Sequence, residues 1–393
     1  MTSINKALTD LIKISNITGK DSTLIQGGGG NTSVKTGDGL FMYIKASGTD
    51  LKNMNKHAGW CKLRLAPVIA IIKDKSIAKL GLQARETKIV KRLLLACDDK
   101  ASAGSRPSIE AHLHAMLGKC VIHLHPVAVL SFACAKNGRA ELEKLFKNEK
   151  FPPLWVPYGH PGFTLAGKFA KLNTDYQNRF GRKPAVLFLQ KHGLIISADS
   201  PNTALQLLRI VINRCAGKLK YPKTTMTKPP SQQIIAEMKS RIRNALYNAT
   251  GCSAVISYFY DDEIAAFWRK KNAQKQLSPP ALTPDELLYA NGPAMWIEDC
   301  NSKKIARRLT RQIRKGTPPP AAFLVKGAGL FVNAVDKIAP AVRDIVKNSF
   351  VIRTNASRFG GILSLNKLEQ DFINRWEADA FRKKLANSAS AGV

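Results

Sequence analysis

Two histidines separated by one residue lie in a short apolar run between Val121 and Pro126. Side chains alternate between the two faces of a strand, so His123 and His125 would project to the same side and could bind one metal ion. The same spacing is also typical of two hydrogen-bonded histidines in a protein core. The pair alone is therefore half a metal site, and its neighbours must decide between the two interpretations.

A third histidine and a carboxylate could complete the site. His192 follows the apolar run 185–190 and precedes Gly193, where we expect a bend. Glu110 lies in the first turn of a predicted helix, capped by Ser108, that runs directly into the histidine strand. A glutamate there would also suit the helix dipole without any further role. Three neutral imidazoles with one open position are a ligand set for catalytic zinc, and a nearby carboxylate can transfer protons.

A glycine-rich segment upstream could hold an anion. Four glycines, residues 27–30, are more than a turn between strands needs, which suggests close backbone approach to a ligand. Taken alone, the motif also fits a flexible turn. Nucleotide binding is poorly supported, because neither a Walker lysine nor a G-x-G-x-x-G spacing follows. The polar residues that we assign to this anion-binding set are Asn31, Ser33, Ser47, Gly48 and Ser108.

A proline-rich segment, residues 151–162, predicts a loop or an edge strand at the mouth of the fold. Tyr158 lies in this segment, and exposed loops often carry function.

The amino-acid composition limits the classes of protein to which the chain can belong. The 393 residues are 45% apolar, which is ordinary for a globular protein of two domains, and the formal net charge is +33. Such a charge suits nucleic acid, an anionic substrate or a generally basic proteome. Seven scattered cysteines argue against a disulfide framework. The first residues have no signal-peptide core, and no run of about 18 apolar residues occurs, so we expect a cytoplasmic protein without membrane contact.

The elements around these residues suggest two domains. Apolar spacing predicts an opening helix over residues 4–18, two helices within 61–98 and a buried strand at 185–190. The segment 218–232 is the best linker, which gives domains 1–217 and 233–393. In the second domain we expect a strongly basic helix over 302–315, mainly a solvated face and alternatively a polyanion-binding surface.

Two regions resemble each other. Residues 187–194 and 322–330 both predict a strand, a bend containing lysine and glycine, and a second strand, followed by a helix. The second copy has Gly327 and Ala328 at the bend where the first has His192. We therefore expect the C-terminal half to be a degenerate repeat that has lost a metal ligand, with chance similarity as the alternative.

Five motifs, in this order, resemble the class II aldolase/adducin family of sugar-phosphate aldolases. They are Gly30-Asn-Thr-Ser33, Lys45-Ala-Ser-Gly48, Pro107-Ser-Ile-Glu110, His123-Leu-His125 and Lys191-His-Gly193, and the resemblance covers residues 1–217. The C-terminal part resembles the extension that follows the aldolase region in bacterial rhamnulose-phosphate aldolase/lactaldehyde dehydrogenase proteins. No dehydrogenase domain or G-x-x-x-G-x-G after a strand follows here, so we do not expect oxidoreductase activity.

The resemblance implies an α/β fold: a three-layer α/β/α domain with a mostly antiparallel sheet, followed by a smaller α/β domain. It implies that His123, His125 and His192 bind a divalent metal, expected to be Zn²⁺, and that Glu110 is the acid/base. Asn31, Ser33, Ser47, Gly48 and Ser108 would hold the substrate phosphate, and Tyr158 would cap the substrate. A homo-oligomer is also expected.

The resemblance implies reversible aldol cleavage of a phosphorylated ketose to dihydroxyacetone phosphate and an aldehyde. One alternative on the same fold is a sugar-phosphate 4-epimerase. Another is a non-catalytic, adducin-like protein that binds a polyanion through its basic surface. The presence of all three histidines and the glutamate argues against the latter, so we do not expect nucleic acid to be the partner.

Overall fold

A computed structural model describes residues 3–98, 105–221 and 227–376. The chain divides into two compact units after Lys218, and residues 134–136 group with the second unit. Part of the expected linker 218–232, and the segment after residue 376, lie outside the described residues, and the expected domain boundaries stay a prediction. Among the described helices, none has the length and apolar character needed to cross a membrane.

The first unit contains a seven-stranded sheet. Its strands are β1 (Asn31–Lys35), β2 (Phe41–Lys45), β3 (Trp60–Arg64), β4 (Cys120–Leu124), β5 (Leu154–Val156), β6 (Val186–Leu189) and β7 (Gly193–Ala198). Their order is β3-β2-β1-β4-β7-β6-β5, and every neighbouring pair is antiparallel except β5 with β6. Strand β4, which contains His123 and ends just before His125, is therefore central and buried on both faces.

Helices cover both faces of this sheet. They are α1 (Ser3–Gly19), α2 (Leu65–Lys73), α3 (Lys75–Ala78), α4 (Leu82–Ala96), α5 (Ala111–Ala115), α6 (Val127–Ala133), α7 (Gly138–Leu145), α8 (Phe163–Phe180) and α9 (Pro201–Ala216). Leu113 of α5 and Phe169 of α8 pack in one core cluster with Val121 of β4. Because Val121 and His123 share a face of the strand, this helical layer also borders the histidines. The expected three-layer α/β/α fold is thus confirmed.

Two segments differ from the sequence-based expectation. Residues 60–64 form β3 rather than the start of a helix, because Cys61 and Leu63 are fully buried and alternate with the more exposed Lys62 and Arg64. This alternation runs without a break into the apolar residues of α2, which hides it in the sequence. Asn31 and Ser33, assigned with the glycine-rich segment to an anion-binding loop, lie in the fully buried strand β1.

The second unit is a smaller α/β sandwich. Its elements are α10 (Gln232–Thr250), β8 (Ile256–Phe259), α11 (Asp262–Trp268), α12 (Ala273–Gln276), α13 (Pro284–Ala290), β9 (Met295–Ile297), α14 (Ser302–Arg314), β10 (Ala322–Val325), β11 (Gly329–Asn333), α15 (Ala339–Arg358) and α16 (Lys367–Trp376). The strand order is β8-β11-β10-β9. Phe323 and Val325 pack toward α10 and α14, whereas Ala322 and Leu324 pack toward α11 and α15. This alternation places a core on each face of the sheet.

The four-stranded sheet has the same strand arrangement as four adjacent strands of the seven-stranded sheet. In both, two antiparallel pairs are followed by one parallel pair: β4-β7-β6-β5 in the first unit and β8-β11-β10-β9 in the second. The register pairs Gly193 with Leu189 and Gly329 with Val325, so the two hairpins correspond residue for residue. Lys191 and Gly327 take the same bend position, and both have positive φ, 56° and 78°. This correspondence agrees with the expected degenerate repeat.

Candidate active site

Three histidines meet on one face of the first sheet. His123, His125 and His192 are 0, 7 and 5% exposed, and one ring nitrogen of each lies within 4.8 Å of the others. The Nε2 atoms of His123 and His125 are 3.2 Å apart. Two imidazoles bound to one zinc ion at about 2.1 Å each in a tetrahedral site would place their nitrogens about 3.4 Å apart. The spacing of these nitrogens therefore suits a shared metal ion.

The bend between β6 and β7 brings His192 to the histidine pair. Lys191, before His192, has positive φ, and Gly193, after it, lies against the end of β4. A Cβ atom at Gly193 would be 2.4 Å from the carbonyl oxygen of Leu124 and 2.7 Å from Cδ2 of His125. Only glycine allows this close approach, so Gly193 lets the third histidine reach the other two.

Glu110 is the carboxylate next to the triad. Its Oε2 atom is 3.2 Å from Nδ1 of His123, and its Oε1 atom is 3.8 Å from Nε2 of His192. Asn31 donates a hydrogen bond of 2.9 Å from Nδ2 to Oε2. Burial by itself raises the pKa of Glu110, but the charge and hydrogen bond of His123, the charge of His192 and the Asn31 amide hold the pKa well below its usual value. Glu110 is therefore a buried carboxylate at neutral pH.

The surroundings of Glu110 differ from the expected first helical turn. α5 begins at Ala111, and Glu110 is its N-cap residue, with the Ser108 hydroxyl accepting from the Glu110 amide at 3.3 Å. The Glu110 side chain makes no capping hydrogen bond and instead reaches Asn31 on β1. Asn31 is paired with His123 in the sheet register, which explains why the amide and the carboxylate meet. The contacts of Glu110 are thus not those of a helix-dipole glutamate.

The polar set expected to bind an anion lies on three adjoining segments. The carbonyl oxygens of Gly28 and Gly30 accept from the buried Lys45 ammonium at 2.7 and 2.8 Å. Lys45 also accepts, through its own carbonyl, from the Ser108 amide at 3.1 Å. Ser47 and Gly48, two other members of the polar set, lie just after β2 and are exposed. Lys45 therefore joins the glycine-rich loop to the segments that carry Ser47 and Ser108.

Ser33, the remaining member, is fully buried and binds His114. The Ser33 hydroxyl lies 2.8 Å from Nδ1 of His114, a residue of α5 whose ring stacks beside that of His123 at 6.5 Å. Burial, and next the charge of His123, lower the pKa of His114 to about 3, so this imidazole is neutral. His114 and Lys45 were not assigned a role in the sequence analysis. The only sequence signal for His114 is its position four residues after Glu110, on the same helical face.

Tyr158 lies in the loop after the edge strand β5. Its amide donates to Oε1 of Gln190 at 3.0 Å, and the Lys191 ammonium lies 4.4 Å from the centre of its ring. Gln190 and Lys191 immediately precede His192, so the loop is fixed to the bend that supplies the third histidine. The tyrosine ring is half-buried and also contacts the ring of His160, at 5.8 Å.

Comparison with known proteins adds a family and a relative. A family model described as the class II aldolase and adducin N-terminal domain matches residues 9–217. The chain is 26% identical, over 433 aligned positions, to a Bacillus subtilis (strain 168) protein named uncharacterized oxidoreductase YuxG. The alignment covers 97% of this chain and 59% of that protein, so the chain spans about three fifths of the relative's length.

Solved structures also resemble part of the chain. The N-terminal class II aldolase domain of a conserved protein from Thermoplasma acidophilum is 27% identical, with a TM-score of 0.43 and coverage of 53% of this chain and 91% of that one. The L-fuculose-1-phosphate aldolase from Thermus thermophilus is 16% identical, with a TM-score of 0.32 and coverage of 54% and 92%.

Proposed function

Because the chain belongs to the class II aldolase and adducin family, we propose that it is a metal-dependent aldolase acting on a phosphorylated ketose. The single observation that carries this proposal is the buried cluster of His123, His125 and His192 with the Glu110 carboxylate beside it. The proposed products are dihydroxyacetone phosphate and an aldehyde. The proposed setting is a cytoplasmic homo-oligomer that does not need nucleic acid as a partner.

The triad would hold a divalent metal, which we propose to be Zn²⁺. Neutral imidazoles suit this ion, and the spacing of the three ring nitrogens fits one shared ion. When bound, the metal would supply a Lewis acid that polarises the carbonyl and hydroxyl oxygens of the substrate.

Glu110 would carry the proton. As the carbon–carbon bond breaks, the carbon that becomes the hydroxymethyl group of dihydroxyacetone phosphate takes up a proton, and the C4 hydroxyl of the ketose loses one. The Asn31 amide fixes the Glu110 carboxylate in place through its 2.9 Å hydrogen bond, which limits its rotation. Burial of the carboxylate keeps bulk water away from the reacting carbon.

The substrate phosphate would lie at the three joined segments. We assign its binding to Asn31, Ser33, Ser47, Gly48 and Ser108, with Lys45 holding the glycine-rich loop in place. Tyr158, fixed beside the His192 bend, would close over the substrate.

Two substitutions test the roles of the ligands and the carboxylate. Glu110→Gln should retain the metal and lose most turnover, roughly a hundredfold or more, because the group that transfers the proton is gone. His123→Ala should lose both metal and turnover. The measurements are metal content and aldehyde release across a panel of phosphorylated ketoses. Full activity in either variant would contradict the proposal.

Product analysis separates this proposal from its rivals. Free triose phosphate plus an aldehyde identifies an aldolase, whereas a new ketose of equal mass identifies a 4-epimerase. Wild-type protein that binds no metal but binds nucleic acid with steep salt dependence would instead identify a polyanion-binding protein.

A further inference from the structure

The second unit contains a cavity of about 760 Å³ at the edge of its sheet, next to β9. Metabolite and cofactor sites commonly measure about 300–1,000 Å³. Its walls come from the end of α12, the turn before β9, α14 and the start of α16. Tyr258, Tyr260 and Ala328, which correspond by register to the three histidines of the first unit, do not line it. The cavity therefore does not occupy the position in the second unit that corresponds to the metal site of the first unit.

The charged side chains of the cavity walls that the structure describes are all basic. They are Arg308, Arg311 and Lys367, and none of the described lining residues is acidic. Lys367 is paired with Asp371 at 2.9 Å, which neutralises most of its effect. The two arginines, three residues apart on one side of α14, therefore dominate the field inside the cavity.

Arg308 is held in position. Its guanidinium donates to the carbonyl oxygen of Trp296 at 2.6 Å, and burial, which penalises the charged form, lowers its pKa. A guanidinium keeps its charge and has five N–H donors, so one bond to a carbonyl leaves others for a ligand. Because the Trp296 carbonyl already orients this group, a hydrogen bond from it to an anion costs less side-chain entropy.

The remaining walls combine apolar side chains with uncharged polar ones. The apolar ones include Leu277, Met295 and Leu365, together with three prolines. A buried ion pair below this wall, between Arg353 and Glu286, fixes the segment 276–280 through hydrogen bonds from Arg353 to the carbonyl oxygens of Gln276, Pro279 and Pro280. The cavity is thus built on fixed backbone.

We propose that this cavity binds a small organic anion, with a carboxylate or phosphate group on Arg308 and Arg311 and its carbon frame against the apolar walls. The site would take one molecule of metabolite size per chain.

Calorimetric titration of the full chain tests this proposal. The probes are glycerol 3-phosphate and glycerate, which carry a phosphate and a carboxylate on similar frames, and glycerol is the uncharged control. We expect at least one of the two anions to bind and glycerol not to bind. The stronger of the two identifies the preferred anionic group. Binding of neither anion, or equal binding of glycerol, would overturn the proposal.

Matched variants place the binding in the cavity. Arg311→Gln should weaken binding of the anion at least about tenfold, because it removes a charged donor to the ligand. Arg307→Gln, on the same helix but outside the cavity, should change affinity less than twofold. An equal loss in Arg307→Gln would mean unspecific attraction to a basic helix.

A further variant separates this site from the first unit. Binding that is lost in Ser47→Ala and kept in Arg311→Gln would belong to the first unit and would contradict the cavity assignment. Turnover on the ketose panel in Arg311→Gln without added anion should equal that of the wild type. Loss of aldolase activity in the wild type would refute the proposed function and leave this test unaffected.

Discussion

Glu110 and Glu86 are both buried carboxyl groups in the first unit, and their surroundings give them opposite charge states. Glu110 has two histidines and the Asn31 amide around it, which favour the carboxylate. Glu86 on α4 is 3% exposed, and its nearest cation, Nε of Arg85, is 4.0 Å away. Burial raises the pKa of Glu86 to about 7, although the charge of Arg85 acts in the opposite direction. The difference in partners, rather than in depth, therefore decides which group can act as a base at neutral pH.

The raised pKa of Glu86 predicts a pH-dependent stability. The folded protein keeps the proton up to about pH 7, whereas the unfolded chain loses it near pH 4.5. The contribution of Glu86 to the free energy of unfolding should therefore fall as pH rises from about 4.5 to 7, by roughly 3 kcal/mol, and stay level above that. Glu86→Gln should remove this decline in urea unfolding measured at pH 5 and pH 8.

Glu143→Gln provides the control, because this glutamate on α7 is 59% exposed and stays in water in both states. It should leave the pH profile of stability unchanged. Parallel profiles for wild type and Glu86→Gln would show that the Glu86 proton does not contribute.

At the scale of elements, the β6–β7 hairpin positions the third histidine. Gly193→Ala should push the hairpin away from β4, because the new methyl group would be 2.4 Å from the Leu124 carbonyl oxygen. We expect metal affinity to fall at least about tenfold, as found when groups that orient metal ligands are lost. Competition with a chelator of known affinity measures this change.

Gly81→Ala is the matched control, since a Cβ atom there has no neighbour within 4 Å and the residue has φ of −58°. It should bind metal as the wild type does. If Gly193→Ala also retained full affinity, the close approach of the hairpin would not be needed for the site.

In the second unit, α15 is held to α13 by the buried pair of Arg353 and Glu286, which are 0 and 2% exposed in their side chains. Arg353→Leu would leave the Glu286 charge buried without its partner, so we expect a loss of about 3–5 kcal/mol in the free energy of unfolding. The double variant Arg353→Leu, Glu286→Leu should recover part of this loss. Urea unfolding followed by circular dichroism measures both effects.

Lys326→Met is the comparison for an exposed pair, because Lys326 and Glu298 are each more than half exposed. Its effect should stay below about 1 kcal/mol. A similarly small effect of Arg353→Leu would mean that water enters the buried site and replaces the arginine.

At the scale of the whole molecule, the sheet of the second unit matches part of the first sheet in strand order but has no histidine at the corresponding positions. Tyr258 and Tyr260 take the register positions of His123 and His125, and Ala328 takes that of His192. The Tyr258 hydroxyl donates to the Ala328 carbonyl oxygen at 2.7 Å. The tyrosine side chain is thus hydrogen-bonded to the bend between β10 and β11. A neutral tyrosine is a poor ligand for a divalent metal, and burial raises the pKa of Tyr258 to about 12.

We therefore expect one metal ion per chain. Elemental analysis of the purified protein after dialysis should give close to one equivalent in the wild type and less than about a tenth in His123→Ala. Two equivalents in the wild type, or one retained in His123→Ala, would show a second site and contradict the assignment of the triad.

The sequence by itself determined the class of fold and the residues that could meet at one site. Alternation along a strand is a local property, so His123 and His125 were assigned to one face without knowledge of the fold. A different local signal identified His192, which lies at a bend before Gly193, between two apolar runs. The match between residues 187–194 and 322–330 was also visible in the sequence, and the strand order of both sheets agrees with it.

Only the tertiary structure decided which distant groups touch. The hydrogen bond from Asn31 to Glu110 joins residues 79 positions apart and depends on the register of β1 with β4, which local patterns do not encode. The same holds for Ser33 with His114, and for the cavity beside β9, whose walls come from four separate elements. Periodicity reports which side of an element is buried, whereas pairing and packing between elements set the partner that each buried group meets.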